Sequence, residues 1–179
     1  MNKMAECCKP SDSAKNMESC PECGKPGRIV KALTVSVMVK DPAVYLHPEA
    51  LPQDFFFLCG TKSCPIVYFN REHDISYSKS QLRIRVWQKE NDPDVAACYC
   101  FNNSVSSIRR EILEKGKSDV LSRISKKVKE GNCRCEVTNP QGSCCLGNVA
   151  KAVKLAQESL KKVELTNAVV QTKHDKART

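Results

Sequence analysis

The sequence predicts an α+β fold in which a small antiparallel β domain is followed by a helical domain. Three observations carry this prediction. Apolar residues alternate at strand spacing in the first half and recur at helix spacing after residue 97. The chain has 179 residues, enough for one domain or two small ones. It also contains twelve cysteines, most of them in closely spaced pairs, and a metal can supply folding energy that a thin core lacks.

Four segments of the first half read as strands. Residues 28–40 are rich in β-branched side chains, and Leu33, Val35, Val37 and Val39 alternate with more polar neighbours. Residues 54–58 and 65–69 are short apolar runs, and residues 82–88 alternate between apolar and polar side chains. Together they predict an antiparallel sheet.

Three helices are predicted in the second half. The first contains Val105, Ile108 and Ile112, with Asn103 or Ser104 as its N-cap. The second runs from a cap at Ser118 to a stop at Gly131, and the third, longer helix carries apolar residues from Leu146 to Val163. The expected organisation is a flexible tail at 1–18, a β domain at 19–92, a helical domain at 93–165 and a polar C-terminal tail at 166–179.

Composition narrows the class of protein. We expect no membrane insertion, because the N-terminus lacks an apolar signal region and no apolar run approaches the roughly 20 residues of a membrane span. The expected localisation is therefore cytoplasmic, where clustered cysteines hold metals more often than disulfides. A secreted disulfide scaffold is the rejected alternative. The net charge of +9 is spread over helical lysines, which indicates a solvated surface, so we do not expect nucleic-acid binding.

The first set of cysteines predicts a structural zinc site. Cys20 and Cys23 form a Cys-Pro-Glu-Cys-Gly knuckle, and Cys59 and Cys64 lie between two predicted strands, on a hairpin turn. Two such pairs give a closed tetrahedral site of four thiolates, the arrangement of a zinc ribbon. A thioredoxin-like redox pair is disfavoured because a strand, not a helix, follows Cys23. A mononuclear iron site with the same four ligands stays open.

The second group of cysteines has different surroundings. Cys98-Tyr-Cys100 precedes the first predicted helix, and Cys145 stands at the start of the third. Between them lies a loop that contains Cys133, Cys135 and Cys144. Helix N-termini offer free N–H groups and a positive dipole end, which stabilise an anionic cluster. We therefore expect an iron–sulfur cluster here in place of a second zinc ion.

The helical half resembles bacterioferritin-associated ferredoxin (BFD-like) domains, a [2Fe–2S] fold also found within NifU-type proteins. The shared features are a Cys-x-Cys, two helices, a cysteine-bearing loop and a further helix. In that family apolar residues follow the last ligand by four and eight positions. Val149 and Val153 hold those positions relative to Cys145. The family usually has a short Cys-x-x-Cys where this chain has a longer insertion.

The insertion resembles a narrower family, the N-terminal domain of archaeal-type CopZ copper chaperones. It reads Cys-x-Val-Thr-Asn-Pro-x-Gly-x-Cys-Cys, and a Cys-Tyr-Cys and a Cys-Pro-Glu-Cys module precede it. The resemblance spans residues 18 to about 155. It implies a [2Fe–2S] cluster held by Cys98, Cys100, Cys135 and Cys145, and zinc (Zn²⁺) held by Cys20, Cys23, Cys59 and Cys64.

The leading hypothesis is one-electron transfer in copper or heavy-metal handling, for example reduction of Cu(II) to Cu(I). The expected partners are a copper chaperone or heavy-metal efflux ATPase and a redox partner protein. CopZ chaperones of that kind also carry a Met-x-Cys-x-x-Cys copper motif, which is absent from this sequence. We do not expect an enzyme beyond a metal-reductase activity, because no acid–base pair or phosphate loop accompanies the cysteines. The alternative is an iron–sulfur or redox sensor, or a metal-binding scaffold that contacts a partner or nucleic acid.

Four cysteines lie outside the two expected ligand sets. Cys7 and Cys8 form an adjacent pair in the tail, interpreted as an incidental dithiol in preference to a docking site for a soft metal. Cys133 and Cys144 flank the expected cluster ligands. They are either bystanders or substitute ligands.

Overall fold

The computed structural model describes residues 18–52 and 55–176, with side chains of the last helix described up to residue 163. Its first half contains a four-stranded antiparallel sheet of β1 (Arg28–Val30), β2 (Phe56–Leu58), β3 (Ile66–Asn70) and β4 (Ile75–Ser78), in that order. Ile29 pairs with Phe57, and Phe57 pairs with Phe69. The predicted α+β class with an antiparallel sheet is confirmed.

Six α-helices and a two-stranded hairpin complete the described chain. Two short helices in the first half are α1 (Ala32–Met38) and α2 (Pro42–Tyr45). The hairpin of β5 (Ala96–Cys98) and β6 (Asn103–Ser104) leads into the helical half. There follow α3 (Val105–Lys115), α4 (Val120–Lys129), α5 (Cys135–Thr138) and α6 (Leu146–Lys176). Among the described residues, no helix combines the length and apolar character needed to cross a bilayer.

The strand predicted over residues 28–40 is wrong after Val30. Residues 32–38 form α1, with the N–H of Val39 donating to the carbonyl of Val35 at 3.0 Å. Five of the seven residues of α1 are buried, because the helix packs between the sheet and α5. Burial on almost every side outweighs the local preference of a β-branched run for strand.

The strand predicted over residues 82–88 is also wrong. Leu82 and Val86 are buried while Arg83 and Arg85 are exposed, so the alternation does report one buried face. Pairing is limited to an isolated bridge between Leu82 and Val39, and the segment ends in a 3₁₀ turn at Trp87–Lys89. The bridged residue Val39 directly follows α1, so the segment has no strand of the sheet beside it among the pairings of the described residues. The fourth strand is β4, which the sequence analysis did not predict.

The three long helices begin where the sequence predicts. Ser104 is the N-cap of α3: its hydroxyl accepts from the N–H of Ser107 at 3.1 Å, and its own N–H donates to the Ser107 hydroxyl at 2.9 Å, which completes a capping box. The N-cap of α4 is Asp119 instead of Ser118, although the Ser118 hydroxyl still accepts from the N–H of Val120. The last helix continues to Lys176, beyond the expected end of the helical domain at residue 165.

Side-chain contacts join the sheet half to the loop between α5 and α6. The hydroxyl of Tyr68, a fully buried residue of β3, donates to the carbonyl of Pro140 at 2.6 Å. The hydroxyl of Thr34 in α1 donates to the carbonyl of Glu136 at 2.7 Å, and Lys31 forms an ion pair with Glu136. Helix α5 is therefore held by Thr34 and Lys31, and the loop that precedes α6 is held by the sheet.

Candidate metal centres

Two turns bring the first cysteine set together. Cys20 and Cys23 lie in a tight turn closed by a hydrogen bond from the N–H of Cys20 to the carbonyl of Lys25, with Gly24 at a φ of 68°. Cys59 follows β2 directly, and Cys64 closes the turn that leads to β3. The sheet register places the two turns side by side. The expected hairpin position of Cys59 and Cys64 is confirmed.

The sulfur atoms of this set have the spacing of a single tetrahedral metal site. The Sγ atoms of Cys20, Cys23, Cys59 and Cys64 lie within 4.8 Å of one another. Cys20 Sγ is 3.8 Å from Cys64 Sγ, and Cys23 Sγ is 3.6 Å from Cys59 Sγ. Four thiolates at the usual Zn–S distance of about 2.3 Å form a tetrahedron with edges of about 3.8 Å. The site is thus preformed for an ion of this size.

The thiols of the first set cannot all ionise without a cation. A hydrogen bond from Thr61 lowers the pKa of Cys23 to about 6. Burial raises the pKa of Cys64 to about 12, and it also raises the pKa of Cys20. The Cys23 thiolate therefore forms readily while Cys20 and Cys64 hold their protons, and a bound divalent cation would displace those protons.

A buried lysine compensates charge beside this set. Lys89 is 3% exposed, and its ammonium group donates to the carbonyls of Thr61 and Cys64 at 2.7 and 3.2 Å. Four thiolates around one divalent cation carry two net negative charges, so a nearby buried cation reduces the cost of burying them. The sequence analysis missed Lys89, because a lysine after an alternating segment carries no signal of burial.

The second cysteine set is drawn from three separate elements. Cys98 ends β5, Cys100 lies in the turn between β5 and β6, Cys135 is the first residue of α5, and Cys145 directly precedes α6. The expected position of Cys145 is confirmed. Cys98 and Cys100 differ from expectation, because they belong to the β5–β6 hairpin and strand β6 separates them from the start of α3.

The sulfurs of the second set form an extended row of contacts. Cys100 Sγ is 3.7 Å from Cys135 Sγ, and the thiol of Cys145 has hydrogen-bond contacts with Cys98 and Cys135. In the part of the chain that the structure describes, the first set is the group of cysteines whose sulfurs all lie within 4.8 Å of one another. The second set is therefore more extended than a site for one ion.

Ionisation is also divided within the second set. Hydrogen bonds from Cys135 and Cys98 lower the pKa of Cys145 to about 4. A hydrogen bond from Cys135 lowers the pKa of Cys100 to about 6, while the pKa of Cys135 is raised because its thiol donates to Cys100 and Cys145. The surroundings thus favour thiolates at Cys100 and Cys145.

Polar groups hold the backbone around these sulfurs. The N–H of Arg134 donates to Cys100 Sγ at 3.4 Å, and Thr138 Oγ1 lies 2.9 Å from the same sulfur. Three buried amides brace the loop that leads to Cys145. Asn139 and Gln141 donate to the carbonyl of Ser143, Gln141 also donates to the carbonyl of Cys144, and Asn148 donates to Gln141. Sequence analysis did not assign these supporting roles.

The remaining cysteines have different exposures. Cys133 is buried and Cys144 is half-buried, and they lie close in the chain to the expected ligands Cys135 and Cys145. Cys7 and Cys8 lie outside the described residues.

Comparisons with known proteins identify relatives of this chain. Residues 17–83 match the family model zf_CopZ, a zinc binding domain. The copper chaperone CopZ of Archaeoglobus fulgidus is 35% identical over 129 residues, which are 72% of this chain and 58% of that protein's length. The crystal structure of the N-terminal domain of A. fulgidus CopZ matches with a TM-score of 0.57 and 28% identity, covering 75% of this chain and 96% of that domain.

Proposed function

We propose that this protein is a one-electron carrier in copper handling. The proposal starts from the match of residues 17–83 to the CopZ zinc binding domain family and from the similarity of the chain to a copper chaperone CopZ. In this proposal Cys20, Cys23, Cys59 and Cys64 bind structural zinc. A [2Fe–2S] cluster is held by Cys98, Cys100, Cys135 and Cys145, within a BFD-like helical half.

The zinc assignment rests on geometry and on the donor set. Four thiolates with tetrahedral spacing leave no open coordination position, which suits a structural ion better than a catalytic one. Two of the four cysteines are fixed by the β2–β3 turn, so the bound ion would tie the Cys20–Cys23 turn to the edge of the sheet. The matching family is a zinc binding domain, and its matched residues include all four cysteines.

The extended arrangement of the second set is the observation that carries the cluster assignment. A [2Fe–2S] cluster takes two thiolates on each of two irons, so its four cysteine sulfurs form two close pairs and are wider overall than those of a one-ion site. The contacts run from Cys100 to Cys135, from Cys135 to Cys145 and from Cys145 to Cys98, and the two end contacts supply two such pairs. Three of the four sulfurs belong to buried residues, which protects an oxygen-sensitive group from solvent.

The chemistry supplied by a bound [2Fe–2S] cluster is the exchange of one electron. One electron converts Cu(II) to Cu(I), the oxidation state that soft thiolate ligands select. The chain's own groups tune this exchange, because the Arg134 N–H and Thr138 hydroxyl contact Cys100 Sγ, and hydrogen bonds to cluster sulfurs raise the reduction potential. The proposed recipients are a copper chaperone or a copper-transporting ATPase.

Metal analysis and electron paramagnetic resonance of anaerobically purified protein test the proposal directly. The expected result is one zinc, two irons and two acid-labile sulfides per chain, with a one-electron signal after reduction by dithionite. Reoxidation by Cu(II), with Cu(I) trapped by a chelator in equal amount, is the expected redox reaction. Protein that carries zinc at both cysteine sets, and no iron, would overturn the redox function.

The ligand assignment has a matched pair of variants. Cys135→Ser is expected to bleach the visible absorption of the cluster, because this variant removes a sulfur that lies beside Cys100. Cys133→Ser removes another buried cysteine two residues earlier and is expected to keep the absorption. The reverse result would move the ligand to Cys133.

A further inference from the structure

Cys100 is the most solvent-accessible cysteine of the second set. Cys98, Cys135 and Cys145 are 0%, 1% and 3% exposed, whereas Cys100 is half-buried. The protein covering over the sulfur atoms is therefore thinnest at Cys100. A redox partner that docks at this edge makes the shortest approach to the group held inside.

Two cationic residues and an aromatic residue lie at the Cys100 turn. The ammonium of Lys127, in the last turn of α4, lies 4.8 Å from the ring centroid of Phe101, the residue after Cys100. Arg134 is exposed, and its backbone N–H contacts Cys100 Sγ at 3.4 Å. Both cationic residues are thus anchored within contact distance of the Cys100 turn.

Neighbouring charges add to this positive edge. Lys126 and Lys129 lie in the same last turn of α4 as Lys127. Of the nearby carboxylates, Glu136 pairs with Lys31 at 2.6 Å, whereas Glu130 accepts from the neutral side chain of Asn132 at 3.2 Å and keeps its negative charge. The three lysines of this turn and Arg134 outnumber the uncompensated Glu130, so the local charge is positive, and the ring of Phe101 lies beside Lys127.

We infer that Cys100, Phe101, Lys127 and Arg134, together called the Cys100 edge, form the docking surface for an acidic electron-transfer protein. Positive charge beside the exposed ligand steers a negatively charged partner toward the point of shortest approach. The ring of Phe101 supplies the apolar centre that interfaces of this kind contain. The inference rests on the proposed function, because an electron-transfer partner requires a redox group at the second cysteine set.

A charge-reversal experiment with a defined acidic probe tests the inference. The probe is a fluorescein-labelled octaglutamate peptide, whose binding to the purified protein is followed by fluorescence anisotropy at low and at physiological ionic strength. The variant Lys127→Glu/Arg134→Glu reverses the two anchored charges. The control Lys161→Glu/Lys162→Glu makes the same change in net charge about 22 Å along α6 from its Cys145 end.

The variant at the Cys100 edge is expected to weaken peptide binding about tenfold, and the control less than about twofold, because charges beyond a Debye length are screened. Lys127→Gln/Arg134→Gln, which neutralises both charges without adding acidic groups, is expected to give an intermediate loss. Equal weakening by the edge and control variants would overturn the inference. Tighter binding of a single-stranded octanucleotide than of the peptide at this edge would also overturn it, in favour of nucleic acid.

The rate of reduction gives a second readout. An anionic sulfonated viologen and the cationic methyl viologen are compared as electron donors in stopped-flow experiments. Reversal of the edge charges is expected to slow the anionic donor about fivefold and to leave the cationic donor equal or faster. Iron and sulfide analysis of each sample separates a failure of the proposed function from a failure of the docking surface. Protein without iron and sulfide refutes the proposed function, whereas fully loaded protein with no preference between edge and control variants refutes the docking surface alone.

Discussion

Replacement of Tyr68 by phenylalanine tests how the sheet supports the loop that leads to Cys145. The hydroxyl of Tyr68 is buried and donates to the carbonyl of Pro140 at 2.6 Å. Burial raises the pKa of Tyr68 well above its usual value, so the hydroxyl stays protonated and remains a donor at neutral pH. Phenylalanine keeps the ring and its packing. The main change is that the buried carbonyl of Pro140 loses its donor.

An unsatisfied buried carbonyl costs about 1–3 kcal/mol, so we expect Tyr68→Phe to lower the free energy of unfolding by about 2 kcal/mol. Urea unfolding of the metal-loaded protein measures this difference, with the slope against urea expected to stay unchanged. Tyr77→Phe is the control, since it removes the same hydroxyl from a half-buried ring of β4. A loss below about 0.5 kcal/mol, or one no larger than that of the control, would refute the reasoning.

The other predictions concern the metal site, a close backbone contact and an ion pair. Cys59→Ala is expected to halve or abolish zinc content and to lower the melting temperature, since structural zinc contributes folding energy; an unchanged melting curve would contradict the structural role. Gly142→Ala is expected to destabilise the protein by about 2 kcal/mol, because Gly142 has a φ of 64° and a Cβ would lie 2.8 Å from Thr34 Oγ1. The control is Gly147→Ala on α6, where a Cβ would meet open space, and it should be neutral or stabilising in the same melts. Glu111 accepts two hydrogen bonds from the Arg123 guanidinium, and these bonds lower the pKa of the Glu111 carboxyl. The ion pair therefore stabilises the folded protein at neutral pH, and this stabilisation is lost as pH falls through the lowered pKa. The stability difference between wild type and Glu111→Gln, measured by urea unfolding from pH 7 downward, should therefore shrink in acid, and a constant difference would contradict this linkage.

Local spacing was sufficient to predict the first cysteine set and the long helices. A Cys-x-x-Cys-Gly turn and a pair of cysteines between two short apolar strands restrict the backbone enough to place four sulfurs together. Ser104 at the start of α3 was predictable for the same reason, because capping depends on residues within one turn. These features need no knowledge of distant contacts.

Features that depend on distant contacts were not predictable. The β-branched run of residues 32–38 is helical because the sheet and α5 cover it, and neither neighbour is visible in the local sequence. Lys89 is buried because two carbonyls of the Cys59–Cys64 turn accept from its ammonium. The position of Cys100 beside Cys135 depends on how the chain folds back between these two residues, which are 35 positions apart. Sequence spacing could suggest its ligand role only through the resemblance to a known family.

The segment Trp87–Lys89 connects the two cysteine sets through three consecutive residues. Lys89 donates to the carbonyl of Cys64 in the first set. Gln88 donates to Gln141, which braces the loop before Cys145, and the N–H of Trp87 donates to the hydroxyl of Tyr99, which lies between Cys98 and Cys100. Each of these bonds is short-range, so a displacement of any one residue in the 3₁₀ turn changes the geometry of the other two contacts. The alternating pattern of residues 82–88 therefore serves neither a strand nor a linker. This segment places Trp87–Lys89 where the first cysteine set, the Cys98–Cys100 turn and the loop before α6 meet. The two candidate metal centres are therefore parts of one packed unit.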